Sequence, residues 1–112
     1  MSYVCLWEFQ VASDSEERFV EYYSASGIWV RLFREADGFA DTQLLKDTEH
    51  PYRYVTVDRW TSASAYEAFR KRFAEQYAEL DRLCENFTVS ERLIGTFDDA
   101  SSVAPTDNFK LI

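Results

Sequence analysis

The sequence contains few of the residues on which nucleotide and metal sites are built. It has three glycines, two cysteines and a single histidine, His50, in 112 residues. The glycines form no phosphate-cradling loop, which argues against nucleotide binding. No Cys/His cluster has metal-ligand spacing, and His50 lies in a polar stretch where a solvated loop residue is favoured over a ligand or a base. We therefore expect no metal and no cofactor.

Basic residues are also in the minority. Twelve Lys and Arg are set against twenty Asp and Glu, and the net charge is -8. Nucleic acids and anionic membranes bind basic surfaces, so neither is expected as a partner. No apolar run approaches the ~20 residues that cross a bilayer, and the first residues lack signal-peptide features. The default expectation is a cytoplasmic protein whose Cys5 and Cys84 are free, buried thiols.

Aromatic residues, in contrast, make up 17% of the chain. So many rings exceed what one small core usually accommodates. We expect the surplus to line a cavity, to form an oligomer interface, or both.

The stretch from Tyr52 to Phe87 predicts a strand that leads into a long helix. Residues 52–60 are rich in aromatic and β-branched types, which suit a sheet. Apolar residues then recur every three or four positions, as on one helix face. Thr61 or Ser62 is the predicted N-cap, and the helix is expected to reach about Asn86.

The remaining elements are predicted from the spacing of apolar residues and from turn-forming residues between them. A first helix is predicted after strand 3–11, with capping-box spacing at Ser13 and Glu16 or at Asp14 and Glu17. Further predicted elements are a short helix at 28–36, strands at 39–46 and 88–98, and a polar hairpin loop at 47–52.

This order predicts an α+β, ferredoxin-like βαββαβ domain over residues 1–98, a four-stranded antiparallel sheet with helices on one face. Val55, Val57, Leu93 and Phe97 are expected on the other face, where a second copy would cover them in a homodimer. Residues 99–112 form a tail, and its Phe109, Leu111 and Ile112 are expected to dock on the same subunit or on the partner.

One segment carries a family resemblance. Residues 60–69, WTSASAYEAF, match a Trp-x-Ser-x-x-Ala-aromatic turn from third strand to second helix. The chain thereby resembles the antibiotic biosynthesis monooxygenase domain of the dimeric α+β barrel superfamily, over roughly residues 3–98. Weaker support comes from Asp37-Gly38-Phe39 and from Pro51-x-Arg53-Tyr54. The resemblance implies a ferredoxin-like dimer with a site between sheet and helices in each subunit.

The resemblance implies two chemistries, cofactor-free oxidation of phenolic polyketides to quinones and oxygen-dependent haem cleavage. Where the quinone-forming branch carries an Asn and an Arg, this chain has Thr56 and Asp81, whereas the strand-end Trp is kept as Trp60. Where the haem branch carries an Asn, a Trp and a His, this chain has Trp7, Ala68 and Ala78. The groups of neither branch are complete.

Alternation on the third strand defines a candidate site. Tyr54, Thr56, Asp58 and Trp60 share one face. If that face is buried, desolvation raises the pKa of Asp58 and makes it a candidate base for an acidic phenol. The alternative is that Asp58 pairs with Arg34, Arg92 or another basic group. Plain core packing is the alternative for the rings expected to wall the site, which are Trp7, Tyr23, Trp29, Phe33 and Phe73.

Two functions remain open. The first is a cofactor-independent, monooxygenase-like oxidoreductase for a planar aromatic or polyketide-type substrate, with Asp58 and Trp60 as catalytic residues and Tyr54 and Thr56 contacting substrate. The second is a non-catalytic small-molecule-binding or stress-response barrel. In both, the ligand is a small aromatic molecule.

Overall fold

A computed structural model describes residues 2–100. The predicted docking of Phe109, Leu111 and Ile112 lies outside this range. The chain order is β1 Tyr3–Val11, α1 Glu16–Tyr23, α2 Ile28–Phe33, β2 Phe39–Lys46, β3 Arg53–Trp60, α3 Ala63–Arg72, α4 Ala74–Cys84 and β4 Thr88–Asp98.

The four strands form one sheet in the order β2-β3-β1-β4, and every neighbouring pair is antiparallel. This confirms the predicted ferredoxin-like fold. In the register of β1 with β3, Cys5 lies opposite Asp58 and Trp7 opposite Thr56. Directly opposed residues project from the same face. Alternate residues of β3 are buried, so one face of the sheet carries the core under the helices.

Aromatic rings dominate this core, and Trp60 lies among them with 1% of its surface exposed. Its ring centroid is 5.1 Å from that of Phe69 and 5.6 Å from that of Phe33. Phe39 and Tyr66 contact it at 5.2 and 5.4 Å. Trp60 therefore joins the end of β3 to α2, α3 and the start of β2.

The predicted long helix is in fact two helices that meet at Phe73. This residue has φ -108° and ψ 27°, outside the helical region, although its N–H still donates to the carbonyl of Phe69. The spacing of apolar residues did not reveal the break, because one distorted residue leaves the stripe on the same side. Phe73 itself stays buried.

The N-termini of α1 and α3 differ in how they are capped. Ser62 caps α3 as predicted, because its hydroxyl accepts a hydrogen bond from the backbone N–H of Ala65 at 3.0 Å. The predicted capping box was wrong both for Ser13 with Glu16 and for Asp14 with Glu17. The first helix begins only at Glu16, and Ser15, its N-cap residue, makes no side-chain capping bond.

Gly38 explains how the turn before β2 packs against α3. Its φ is +91°, and a Cβ at this position would lie 2.6 Å from the Cβ of Ala65. The Gly38 carbonyl accepts from the N–H of Thr61 at 2.7 Å. A side chain here would therefore separate the turn from the residues that begin α3.

On β4, the residues that project from the sheet face opposite the helices differ from the prediction. The pairing of β1 with β4 shifts register between Leu6 and Trp7, so that Leu93 lies opposite Trp7 and Phe97 opposite Val4. Leu93 thus projects from the helix side, and placing it with Phe97 was wrong. The prediction rests on unbroken alternation along β4, and the register shift inverts that alternation at Leu93.

Replacing the α3 cap should lower stability. Ser62→Ala removes the acceptor for the Ala65 N–H, and we expect a loss of about 1 kcal/mol in the free energy of unfolding, measured by urea denaturation. Ser62→Asp, which can accept the same bond, should restore most of the loss. Equal stability of Ser62→Ala and the wild type would contradict the capping role.

Candidate active site

A cavity of about 220 Å³ lies between the helix-side face of the sheet and the helices. It is lined mainly by rings, with a few polar groups among them. The lining residues are Trp7, Phe9, Tyr23, Trp29, Phe33, Thr42, Thr56, Asp58, Arg70, Tyr77, Asp81 and Glu91.

Asp58 is the buried acid of this cavity, with 7% of its surface exposed. Its Oδ1 accepts a hydrogen bond from the Thr42 hydroxyl at 2.7 Å, across the pairing of β2 with β3. Burial raises the pKa of Asp58 to about 6, and the Thr42 bond opposes the rise. Such a pKa suits a general base near neutral pH, because the group is ionised there yet still proton-accepting.

The alternative, in which Asp58 pairs with Arg34, Arg92 or another basic group, is not found among the residues described. Arg92 instead binds Glu8, with its Nη2 2.9 Å from Oε1. Within residues 2–100 the Asp58 carboxylate therefore has a hydroxyl partner and no paired cation, which leaves it available to accept a proton from a ligand.

Rings contributed by α1, α2 and α4 wall the cavity. The ring centroid of Trp29 lies 5.0 Å from that of Tyr77, 5.9 Å from Phe33 and 6.0 Å from Tyr23. The indole N–H of Trp29 is buried and meets no hydrogen-bond acceptor within residues 2–100. Burial raises the pKa of the nearby Tyr23 hydroxyl. The Trp29 N–H partly opposes this rise, although it lies near the hydroxyl without hydrogen-bond geometry. A planar apolar ligand would fit these walls.

Charged residues surround the mouth of the cavity. Arg70, Asp81 and Glu91 line it but are exposed to solvent, unlike the buried Asp58. Burial and the nearby Asp81 raise the pKa of the Glu91 carboxyl. Sequence reasoning did not include Arg70, Tyr77 or Glu91 in the site. A signal did exist for Arg70, because it lies four residues after Tyr66 and seven before Tyr77, on one helix side.

The cavity brings together six of the nine predicted site residues, namely Trp7, Tyr23, Trp29, Phe33, Thr56 and Asp58. The other three are buried elsewhere in the same core. Tyr54 donates its hydroxyl to Glu16 at 2.7 Å, and Phe73 packs against Phe69. Trp60 contacts the cavity through Phe33, with its indole N–H buried and unpaired within residues 2–100.

Residues outside the cavity follow the simpler expectations. His50 is exposed, and its Nδ1 is 3.0 Å from Asp47 Oδ2. Cys5 and Cys84 are free and buried, and burial raises the pKa of Cys5 to about 11. Among residues 2–100, no cluster of His, Cys, Asp or Glu could hold a metal ion. No helix in that range is long and apolar enough to cross a membrane.

Solved structures with the same fold include an enzyme. A variant of SnoaB, a cofactor-independent oxygenase from Streptomyces nogalater, aligns with a TM-score of 0.67 and 15% identity, covering 93% of this chain and 98% of that one. A candidate antibiotic biosynthesis monooxygenase from Nitrosomonas europaea aligns with a TM-score of 0.68 and 15% identity, covering 89% and 91%.

A conserved protein from Methanosarcina mazei aligns with a TM-score of 0.66 and 12% identity, covering 87% of this chain and 91% of that one. At such identities these matches establish the fold and not the reaction. No curated protein sequence matches the chain significantly.

The family is established separately by its sequence model. The model for antibiotic biosynthesis monooxygenases matches residues 2–79, well over half of the chain. That range contains the Trp60 turn, most of the cavity walls and Asp58. This chain therefore belongs to the antibiotic biosynthesis monooxygenase family.

Proposed function

We propose that this protein is a cofactor-independent monooxygenase that oxidises a planar phenolic substrate bound in the cavity. The observation that carries the proposal is the buried carboxylate of Asp58, hydrogen-bonded to Thr42, on the floor of an aromatic cavity. Family membership and the fold shared with the oxygenase SnoaB support the same chemistry. Asp58 is the general base.

The reaction begins with proton transfer to Asp58. At neutral pH the carboxylate is ionised, and a pKa of about 6 keeps it able to accept a proton from an acidic phenol or the tautomeric ketone. The resulting substrate anion donates electrons to oxygen. For a ring CH₂ that becomes a carbonyl, one oxygen atom enters the product and the other leaves as water.

Thr42 and Thr56 have separate roles on the cavity floor. The Thr42 hydroxyl donates to Asp58 and favours its charged form. Thr56, opposite Trp7 in the sheet, offers a hydroxyl to the oxygen that gains charge in the substrate. The surrounding rings exclude water, which strengthens both interactions. Trp60 supports this wall from behind Phe33 and does not contact substrate.

A homodimer would cover the sheet face that lies opposite the helices. Val4, Leu6, Val55 and Val57 lie on the sheet face opposite the helices, and Phe97 there is 47% exposed. The charges on this face are paired, because Glu8 binds both Arg53 and Arg92. We propose that a second copy covers this face, since paired ions and apolar side chains suit a buried interface.

Oxygen uptake with a dihydroxyanthracenone tests the reaction. Asp58→Asn should lower the rate at least about 100-fold, because it removes the base. Wild-type kcat/KM should fall as the pH drops through about 6, where Asp58 becomes protonated. Trp60→Phe should retain most of the rate. Wild-type uptake no faster than in buffer, with the ligand still bound, would instead favour the non-catalytic binding module.

The buried Asp58 carboxylate should also make the stability of the protein depend on pH. A folded-state pKa of about 6 against 3.8 disfavours the ionised folded state, which corresponds to roughly 3 kcal/mol. This cost is absent below pH 4, develops between pH 4 and 6, and is complete above pH 6. The stability of Asp58→Asn relative to wild type should therefore rise by that amount from pH 4 to 7 in urea denaturation.

Thr42 provides the matched control for that experiment. Thr42→Val removes the hydrogen bond that favours the charged carboxylate, so its stability should fall more steeply than wild type as the pH rises. Thr42→Ser keeps the hydroxyl and should behave as wild type. Parallel pH profiles for all four proteins would show that Asp58 is not perturbed.

Sedimentation at micromolar concentration tests the dimer. The wild type should sediment as a dimer, and Val57→Lys should sediment as a monomer, because a lysine at the centre of the apolar face cannot be buried unpaired. Val57→Thr preserves the shape and should keep the dimer. A monomeric wild type would refute the interface.

A further inference from the structure

Arg70 is a cation held in a fixed position at the cavity mouth. Its guanidinium carbon lies 3.9 Å from the centroid of the Tyr77 ring. Its Nη1 donates to the Tyr66 hydroxyl at 3.1 Å. Stacking on one ring and bonding to another orient the flat guanidinium, although the side chain is exposed.

Among the residues that the structure describes, protein groups occupy little of the hydrogen-bonding capacity of Arg70. A guanidinium has five N–H donors, and the Tyr66 hydroxyl accepts one of them. None of the ion pairs within residues 2–100 includes Arg70. Asp81 acts on it electrostatically from a longer distance. The remaining donors can therefore bind a ligand in the cavity.

The acidic groups at the mouth determine which ligand oxygen fits. Asp81 and Glu91 line the cavity together with Arg70, so two carboxyls accompany one cation. A carboxylate on a ligand would meet their repulsion, whereas a neutral carbonyl oxygen would not. A carbonyl still accepts hydrogen bonds from a guanidinium.

We infer that Arg70 is the specificity-determining residue of the cavity, which binds a carbonyl oxygen of a planar ligand, and that Asp81 and Glu91 select against carboxylated ligands. This inference rests on the proposed function and narrows its substrate class to uncharged phenolic ketones. When Asp58 removes a proton from such a substrate, the conjugated carbonyl gains negative charge. Arg70 then binds that oxygen more strongly, which favours the anion.

Binding of inert ligands tests this without turnover. The probe is dihydroxyanthraquinone, which is planar and has carbonyl groups; anthracenemethanol is the carbonyl-free comparison. Quenching of tryptophan fluorescence reports binding of each. Arg70→Met keeps an unbranched stem against Tyr77 and removes the donors. It should weaken dihydroxyanthraquinone binding about 10-fold to 100-fold and leave anthracenemethanol binding unchanged.

Lys71→Met is the matched control, because it removes one positive charge from an exposed neighbour that does not line the cavity. Its binding should equal that of the wild type. The wild type should also bind dihydroxyanthraquinone about 10-fold more tightly than the carboxylate derivative of the same skeleton, and Asp81→Asn should reduce this preference.

Three results would overturn the inference. Arg70→Met could weaken binding no more than Lys71→Met does, or weaken both ligands equally, which would mean that Arg70 only packs on Tyr77. The wild type could also fail to bind dihydroxyanthraquinone. Absence of oxygen uptake with the ketone selectivity intact would refute the proposed reaction alone, so the two failures are distinguishable.

Discussion

The burial of one carboxylate constrains the site. Asp58 lies on a central strand, under the helices, where an ionised acid is costly. The fold provides one hydroxyl, that of Thr42, as a partner. Replacing the pair by apolar residues would relieve the cost, since a leucine or a valine would pack there without any desolvation. A structural requirement therefore does not explain Asp58, whereas the proposed proton transfer from a bound ligand would.

The sequence predicted the floor of the site because strand alternation is a local property. Once residues 53–60 form a strand, Thr56 and Asp58 must project from one face, and the apolar helices require that this face be buried. The same reasoning assigned Tyr54 and Trp60 to the site, but alternation gives only a direction. Position along the strand decides which of these side chains reach the cavity. At the two ends of β3, Tyr54 instead binds Glu16 and Trp60 packs against aromatic rings.

Features that depend on distant parts of the chain were not predictable in this way. The register shift at Leu6 and Trp7 arises from pairing with β4, about ninety positions along the chain. It moved Leu93 to the helix side while leaving Phe97 outside, so the apolar outer face consists mainly of β1 and β3 residues. The distortion at Phe73 was hidden for the opposite reason, because the helical period continues through it.

The charged residues at the cavity mouth depend both on local sequence and on how distant parts of the chain fold together. The family resemblance implies an arginine at the position of Asp81, so the sequence alone indicates that the site lacks a cation. The fold returns a cation to the same cavity from Arg70, eleven positions earlier on the neighbouring helix. Tyr77, between the two in sequence, holds that guanidinium at 3.9 Å. The helices α3 and α4 thus bring side chains eleven positions apart in sequence to one cavity, where one cation accompanies the carboxyls of Asp81 and Glu91. In the inferred specificity, Asp81 adds a discrimination against anionic ligands that Arg70 alone would not provide.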